Sequence, residues 1–287
     1  MFAAVRETFP SPWRFQSHVE VWLLVVSLIC AYVYVVCVIG PKAVPTGGEI
    51  VTRKNVVAFV GAISLLWVAS DWPIHDLAEE YLYSVHMFQH MVLSYFVPAL
   101  ALLATPNWLF QLLVGKGRTY KVVSWLVKPV VAAVIFNMVV MASHIPGVVN
   151  QSVSNGVLHY SMHVLLVTTA LLVWMPVCGP ERKFQMGPAG KMVYLFSLSV
   201  VPTIPAAWLT FADGPVYKHY DIPVRVWGIS VIDDQQIAGA IMKLGGSAFL
   251  WSIIIFIFFK RFSSSFSQDQ SYRLSDSPPK AEIVNPT

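Results

Sequence analysis

The sequence predicts an all-α, polytopic membrane protein with seven transmembrane helices. Hydrophobic residues make up 56% of the 287 residues, and charged residues only 12%, whereas soluble domains usually carry about 25% charged residues. The mean hydropathy of +0.63 agrees with this composition. Apolar segments recur along the chain, and most approach the roughly 20 residues that a helix needs to cross the hydrocarbon core.

The apolar segments follow one another without an internal repeat. They span 19–39, 55–70, 84–104, 122–142, 157–177, 191–211 and 236–259. The first lacks a basic leader and a small-residue cleavage site, so we expect a retained helix rather than a signal peptide. The second is short for a crossing unless it extends toward Trp72. In the sixth, Pro202 and Pro205 predict a kink.

The chain divides into three predicted regions. Residues 1–18 form an outer N-terminal segment, residues 19–262 the seven-helix domain, and residues 263–287 a Ser-rich, disordered cytoplasmic tail. Basic residues concentrate in the loops after segments one, three, five and seven, so the positive-inside rule predicts an outside N-terminus and a cytoplasmic C-terminus. The outer face is mainly acidic, which repels nucleic acid and argues against a polynucleotide-binding function.

All eight histidines lie at or just beyond the segment ends that the charge pattern places outside. His86 and His90 are spaced by four, as are His159 and His163. This spacing directs both imidazoles of a pair from one helix face, and Gln89 shares the face of the first pair. Imidazole is the commonest protein ligand for transition metals, so the sequence predicts a metal site where these helices end.

Further candidate ligands lie at the same predicted membrane depth. Met141 and His144 share a face at the end of the fourth segment, and Met162 lies between the paired histidines of the fifth. The candidate metal ligands are His75, His86, His90, His144, His159, His163, Met141 and Met162. For His18 and His219 we instead expect hydrogen-bonded surface groups.

The ligand types favour copper over other metals. Histidine with methionine suits copper, particularly Cu(I), whereas a site of histidines alone also suits zinc. Haem is less favoured, because imidazoles four residues apart lie only about 6 Å from each other along one helix. An acidic loop, Asp71, Asp76, Glu79 and Glu80, is positioned to concentrate cations, and Asp71 is a candidate supporting residue. For each of these carboxylates taken singly, a solvated side chain is the expectation.

Two other features of the apolar segments invite interpretation. Lys243 lies in the seventh segment, and we expect a structural ion pair with Asp233 or Asp234 rather than a Schiff base. Cys30 and Cys37 share a face of the first helix. We expect them to be buried packing residues, and a soft-metal relay is the alternative.

Three blocks of the sequence resemble the bacterial multi-spanning CtaG proteins, which are assembly factors of haem–copper cytochrome c oxidase. The blocks are SVHMFQHMVLSYFVPALALLATP, SHIPGVVNQSVSNGVLHYSMHVLLVTTALLVWMPVCGP and DDQQIAGAIMK. The resemblance spans roughly 55–258, with the segments in the family's order. Matching positions are His86, Gln89, His90, His144, His159, His163, Asp234 and Gln235. The chain departs from the family at Met162, often acidic there, and at Lys243, often tryptophan.

The resemblance implies a multi-pass protein of the bacterial inner (plasma) membrane that assembles cytochrome c oxidase. Together with the ligand set, it predicts a non-enzymatic protein that supplies copper to the oxidase from the outer face. The expected partners are oxidase subunits, a periplasmic copper donor and membrane lipid, without nucleic acid. The alternative is an intramembrane zinc-dependent hydrolase, in which Asp71 or Asp76 joins His75 and the paired histidines to activate water.

Overall fold

The computed structural model describes residues 11–275, with side chains described as far as residue 263. Within that range the chain is helical and contains no β-strand. Six helices are long and apolar enough to cross a membrane, and one bent pair of helices adds a seventh span if it is counted as one. The predicted all-α fold with several membrane-spanning helices is confirmed.

The helices that could cross the membrane follow the predicted segments closely. Six qualify singly: α1 (Val19–Ala43), α2 (Arg53–Ser70), α3 (Tyr83–Ala104), α5 (Gly156–Cys178), α6 (Pro188–Phe211) and α7 (Val231–Ser263). α4 (Pro129–Ser143) qualifies only together with the preceding helix Arg118–Leu126. Further short helices lie at Asn107–Val114 and Pro146–Ser154. The helical backbone of α7 continues to Ser275, so the predicted tail boundary at residue 262 lies inside a helix. Residues 1–10 and 276–287 lie outside the described residues.

The predicted fourth segment, 122–142, is bent rather than straight. The helix Arg118–Leu126 meets α4 at an angle of 71°. Lys128 has extended backbone before Pro129, because the residue before a proline is disfavoured in the helical conformation. Proline then suits the first position of α4, where its missing N–H is not needed.

Local sequence signals explain where the other spans begin and bend. Thr52 and Asn55 form a capping box at the start of α2. At the start of α7, the Ser230 side chain accepts a hydrogen bond from the backbone N–H of Asp233. These side chains satisfy N–H groups that a helix start leaves unpaired. α6 is interrupted around Pro202, which confirms the kink predicted there.

The core of the bundle lies around Trp174 on α5. Its ring is buried, and its indole nitrogen donates to the carbonyl oxygen of Ser94 on α3 at 2.9 Å. Residues from five spans surround it: Tyr95, Ala132, Phe136, Ala170, Leu195 and Leu250. This packing fixes α3 against α5, and these are the two helices that carry the histidine pairs.

Cys30 and Cys37 are exposed on α1, so the prediction that they are buried packing residues is wrong. α1 is almost entirely apolar and buries only Val21 and Val25 among its first sixteen residues. A span whose outer surface faces lipid needs no partner for its apolar side chains, which the sequence pattern alone does not distinguish from burial in protein.

The histidine end of the bundle is covered by segments outside the spans. The N-terminal stretch contributes ring contacts from Trp13 to Trp227 at 5.9 Å and from Phe15 to Trp72 at 5.6 Å. The long connection before α7 also folds over this end, since Tyr220 is bonded to the loop between α2 and α3. Side chains beneath these segments are therefore partly shielded from solvent.

Candidate metal centre

Six of the eight histidines form one continuous cluster at one end of the bundle. They are His18 before α1, His75 after α2, the α3 pair His86 and His90, and the α5 pair His159 and His163. The ring centroids lie 4.2 Å apart within the α3 pair, 4.3 Å within the α5 pair, and 5.2 Å from His90 to His163. Imidazoles from separate spans thus meet in a single region.

Glu79 lies at the centre of this cluster. Its Oε1 is 3.1 Å from Nδ1 of His86 and 3.1 Å from Nε2 of His159. Ligand atoms of Glu79, His159 and His163 all lie within 4.8 Å of one another. Two ligand atoms bound at about 2.0 Å to one tetrahedral ion are about 3.3 Å apart, so these spacings suit a small metal ion. We call Glu79, His86, His159 and His163 the carboxylate site.

The Glu79 carboxylate is ionised at neutral pH. Burial raises the pKa of Glu79, but the imidazoles of His86 and His159 lower it more, so that it lies well below its usual range. Nδ1 of His86 therefore serves as the donor to this carboxylate. The Glu79 side chain remains 14% exposed, so an ion can reach it from the surface.

Two nitrogens of the carboxylate site lack hydrogen bonds. Nε2 of His159 and Nε2 of His163 are both buried without a hydrogen-bond partner among the described residues. Although Nε2 of His159 is close to Glu79, its direction of approach is not that of a hydrogen bond. A buried polar atom without a partner costs about 1–3 kcal/mol, and a bound metal ion removes this cost by accepting the lone pair.

One short turn, Lys218–Tyr220, holds the loop that carries Glu79. Nε2 of His219 lies 2.7 Å from the Glu79 carbonyl oxygen, and the Tyr220 hydroxyl donates to the Ala78 carbonyl at 2.8 Å. Beside this turn, the Tyr217 hydroxyl donates to the His144 carbonyl at 3.0 Å. Carbonyl oxygens accept only, so the His219 nitrogen must carry a proton. His219, predicted to be a surface group, is thus a positioning residue for Glu79.

Asp234 holds the start of the helix that carries His86 and His90. Its carboxylate accepts the backbone N–H of Tyr83 at 2.7 Å and that of Ser84 at 3.1 Å, and it also accepts the Ser84 hydroxyl. Free N–H groups and the positive dipole end at a helix start favour a carboxylate there. Asp234 therefore supports the site through helix position rather than as a ligand.

Gln235 and Gln89 are also supporting residues rather than ligands. Gln235 accepts from the backbone of Val216 at 2.7 Å and donates to the Leu209 carbonyl at 3.0 Å, which fixes the connection before α7. Gln89 is fully buried and donates to the Ala69 carbonyl and to Nδ1 of His75. An amide nitrogen is a donor, so neutral His75 carries its proton on Nε2.

Behind the carboxylate site lies a second layer of paired groups. His18 bonds Asp76 at 3.0 Å, and its ring contacts that of His75 at a centroid distance of 4.8 Å. Burial lowers the pKa of His75 to about 4, and burial raises the pKa of Asp76. The structure thus places His75, a predicted ligand, beside the site with its Nδ1 already occupied.

A cavity of about 50 Å³ lies next to the carboxylate site, between α3, α4 and α7. His90, on the turn after His86, lines it together with His144 from the end of α4. The remaining lining residues are Met87, Met91, Ser94, Tyr95, Phe136, Val140, Ser143, Leu166, Pro202 and Met242. We call this space the thioether cavity.

A family model described as the cytochrome c oxidase caa3 assembly factor matches residues 30–264. The chain belongs to this caa3 assembly factor family. No curated protein and no solved structure matches the chain. The matched range contains the carboxylate site, the thioether cavity and the supporting residues, so the family shares the part of the chain in which these groups lie.

In this member of the caa3 assembly factor family, neither of the two predicted methionine ligands lines the thioether cavity. Met141 lines two other cavities, with Asn137 and Met138 in one and with His144 and Trp208 in the other. Met162 is half-buried. Spacing along a helix places residues on a face, but it does not say which neighbouring helix that face meets.

Both carboxylate oxygens of Asp71 accept hydrogen bonds that link structural elements. Its Oδ2 accepts the indole N–H groups of Trp22 and Trp67, both at 2.7 Å, and Oδ1 accepts the backbone N–H of Trp72. Burial raises the pKa of Asp71, but these hydrogen bonds together lower it by more, so the net shift of the pKa is downward. The carboxylate links α1 to α2, a role that tryptophan positions in the sequence do not reveal.

The predicted ion pair of Lys243 is wrong. Lys243 donates to the Ser199 carbonyl at 3.0 Å and to the Thr203 hydroxyl at 2.7 Å. Asp234 instead binds the start of α3. The kink at Pro202 interrupts the helical hydrogen bonds of α6, and the lysine satisfies a carbonyl exposed there.

Sequence reasoning missed two features of this assembly factor family member. Glu79 is the central carboxylate, although its position in an acidic run favoured a solvated side chain. Its signal was the lack of any Lys or Arg between Asp71 and Tyr81, which leaves this acidic run without a cationic partner of its own. The cavity methionine Met242 was also missed, since its contact with α3 depends on how α7 packs.

Proposed function

We propose that the chain assists assembly of cytochrome c oxidase by binding copper at the carboxylate site and passing it to the oxidase. The observation that carries the proposal is the convergence of Glu79, His159 and His163, whose ligand atoms lie within 4.8 Å of one another. The family match supports the assembly role. Copper here is the cargo of the protein rather than a resident cofactor.

The chemistry of the site suits capture and release of a cation. Imidazole is a good ligand for copper, and the ionised Glu79 adds a negative charge that offsets part of the positive charge of the ion. Delivery by ligand exchange needs an accessible site, and Glu79 is partly exposed. The positive-inside rule predicts that the histidine end lies outside the plasma membrane, where a donor protein and oxidase subunits would meet it and no substrate would be turned over.

An intramembrane zinc hydrolase is the second candidate, because two histidines and one glutamate also form a catalytic zinc set. Hydrolases of this kind also use a serine, and the contacts of Ser84 argue against that role here. Its hydroxyl and backbone N–H both bond Asp234, so the side chain is held away from the carboxylate site. Asp71, proposed in the hydrolase alternative, is likewise occupied by indole and backbone donors.

Copper binding by purified protein in detergent tests the proposal. We expect His163→Ala to weaken binding at the carboxylate site at least about 10-fold, because removal of even supporting groups costs 10–100-fold in metal affinity. Met162→Leu is the matched control, since it changes the neighbouring residue outside the site. Preference for zinc over copper, together with hydrolysis of an amide or ester lipid, would favour the hydrolase instead.

A further inference from the structure

The thioether cavity holds donor atoms that the carboxylate site does not use. Nε2 of His90 and Nε2 of His144 are buried and without a hydrogen-bond partner in the described part of the chain. Both residues line the cavity, together with the methionines Met87, Met91 and Met242. Two histidines with an unpaired ring nitrogen and three methionines thus line one cavity.

His144 is held in the form that binds a metal. Its Nδ1 lies 2.6 Å from the Val140 carbonyl oxygen, and a carbonyl only accepts, so Nδ1 carries the proton. In the neutral ring the other nitrogen, Nε2, then carries the free lone pair. A histidine that donates its other N–H to a backbone carbonyl is the usual arrangement of a metal ligand.

Water is a poor occupant of this cavity. The volume of about 50 Å³ exceeds the roughly 10–15 Å³ that one water requires, but an ordered water also needs two to four polar partners. The lining is mainly apolar and the Ser143 hydroxyl is already bonded to the Val140 carbonyl, so a water would have little more than the two imidazole nitrogens as partners. A soft cation, in contrast, gains from thioether and imidazole together.

The backbone around the cavity makes room for the thioether of Met91. A Cβ added at Gly245 would lie 3.1 Å from the Met91 sulfur, so the glycine allows α7 to approach this side chain. Both helices are locally π-helical here, at Val92–Phe96 and Ile241–Gly245. Such widened turns are frequent at functional sites.

We propose that the thioether cavity is a second copper site, specific for Cu(I), with His90, His144 and the cavity methionines as ligands. This second site rests on the proposed function for the source of its copper. The copper would reach the thioether cavity from the adjacent carboxylate site. His163 of the carboxylate site and His90 of the cavity are in ring contact, which gives the ion a short path between the two sets of ligands.

X-ray absorption at the copper edge tests this site directly, using the full chain loaded with Cu(I) under ascorbate. We expect wild-type protein to bind two Cu(I) ions and to show copper–sulfur scattering. Met87→Leu/Met91→Leu/Met242→Leu should lose one ion and the sulfur signal, since leucine keeps the volume but removes the thioether. The control, Met138→Leu/Met141→Leu, changes methionines outside the cavity and should keep both.

Two further variants make the outcomes distinct. His144→Gln should reduce sulfur-bound copper at least about 10-fold even if the triple variant does not fold, whereas His159→Ala should lower total copper and retain the sulfur signal. Wild-type copper bound only through nitrogen and oxygen, or a sulfur signal that survives in the triple variant, would overturn the second site and leave the carboxylate site standing. Absence of any bound copper would overturn both.

Discussion

The carboxylate site and the thioether cavity are neighbours with different chemistry. One combines a partly exposed, ionised carboxylate with imidazoles, whereas the other has a mainly apolar lining and combines imidazoles with thioethers. Carboxylate oxygen is a harder ligand than thioether sulfur, so the first favours initial capture of a hydrated cation and the second favours Cu(I). In the two proposals one histidine pair serves both sites, because His86 and His90 lie on successive turns of the same helix.

The two regions also share their support. Asp234 fixes the start of α3, which carries ligands of both. The connection before α7 contacts both as well, through Tyr220 on the carboxylate side and Tyr217 on the cavity side. A change in this connection therefore displaces each region through a different hydrogen bond, which provides a way to separate them.

The largest expected effect separates the histidines of α3. His86→Ala should lower copper affinity at the carboxylate site by about 100-fold and leave sulfur-bound Cu(I) in place, because His86 contacts Glu79. His90→Ala should do the reverse. Chelator competition combined with copper-edge absorption measures both; the same loss in both variants would show that the two regions are one site.

Acid should lower the stability of the fold through His75, which lies beside the carboxylate site. Burial lowers the pKa of His75 to about 4, against about 6.5 in an unfolded chain. The folded state binds the proton less readily than the unfolded state, so the free energy of unfolding is at its full value above pH 6.5 and falls as the pH drops toward 4. The total loss from His75 is about 3 kcal/mol. Thermal unfolding of metal-free protein should show this loss, and His75→Gln should reduce it. An unchanged pH profile in His75→Gln would contradict the assignment.

Asp234→Asn should weaken both regions together. Removing the charge that accepts two backbone N–H groups should cost about 2 kcal/mol, comparable to loss of a helix cap with a favourable dipole interaction. Thermal stability and copper content should both fall. Asp233→Asn is the matched control, because that neighbouring side chain is exposed and accepts the Ser230 hydroxyl. Equal effects of the two variants would show that the cap has no special role.

The smallest effects concern the two tyrosine hydroxyls. Tyr220→Phe removes one hydrogen bond to the Ala78 carbonyl and should weaken the carboxylate site a few-fold, since such a bond contributes about 0.5–1.5 kcal/mol. Tyr217→Phe should affect the cavity to a similar extent through the His144 carbonyl. Site-resolved copper titration checks both variants. An effect of Tyr217→Phe on the carboxylate site alone would contradict the assignment of Tyr217 to the thioether cavity.

The membrane fold and the meeting of the histidines were accessible from sequence, because apolar length and the spacing of His86, His90, His159 and His163 depend on helix geometry alone. Glu79 was not, because its role depends on how the loop after α2 folds over α3 and α5. The position of Met242 in the thioether cavity was not predictable for the same reason. Helix rotation and neighbour choice are set by packing, which one sequence does not specify.

The central claim is that Glu79 is the carboxylate at which copper is bound. Copper content of purified Glu79→Gln, compared with Glu80→Gln, tests it most directly, because Glu80 is the adjacent carboxylate and bonds Gln16 instead. We predict that Glu79→Gln loses the nitrogen- and oxygen-bound copper while Glu80→Gln binds as the wild type does. Equal copper content in the two variants would contradict the account.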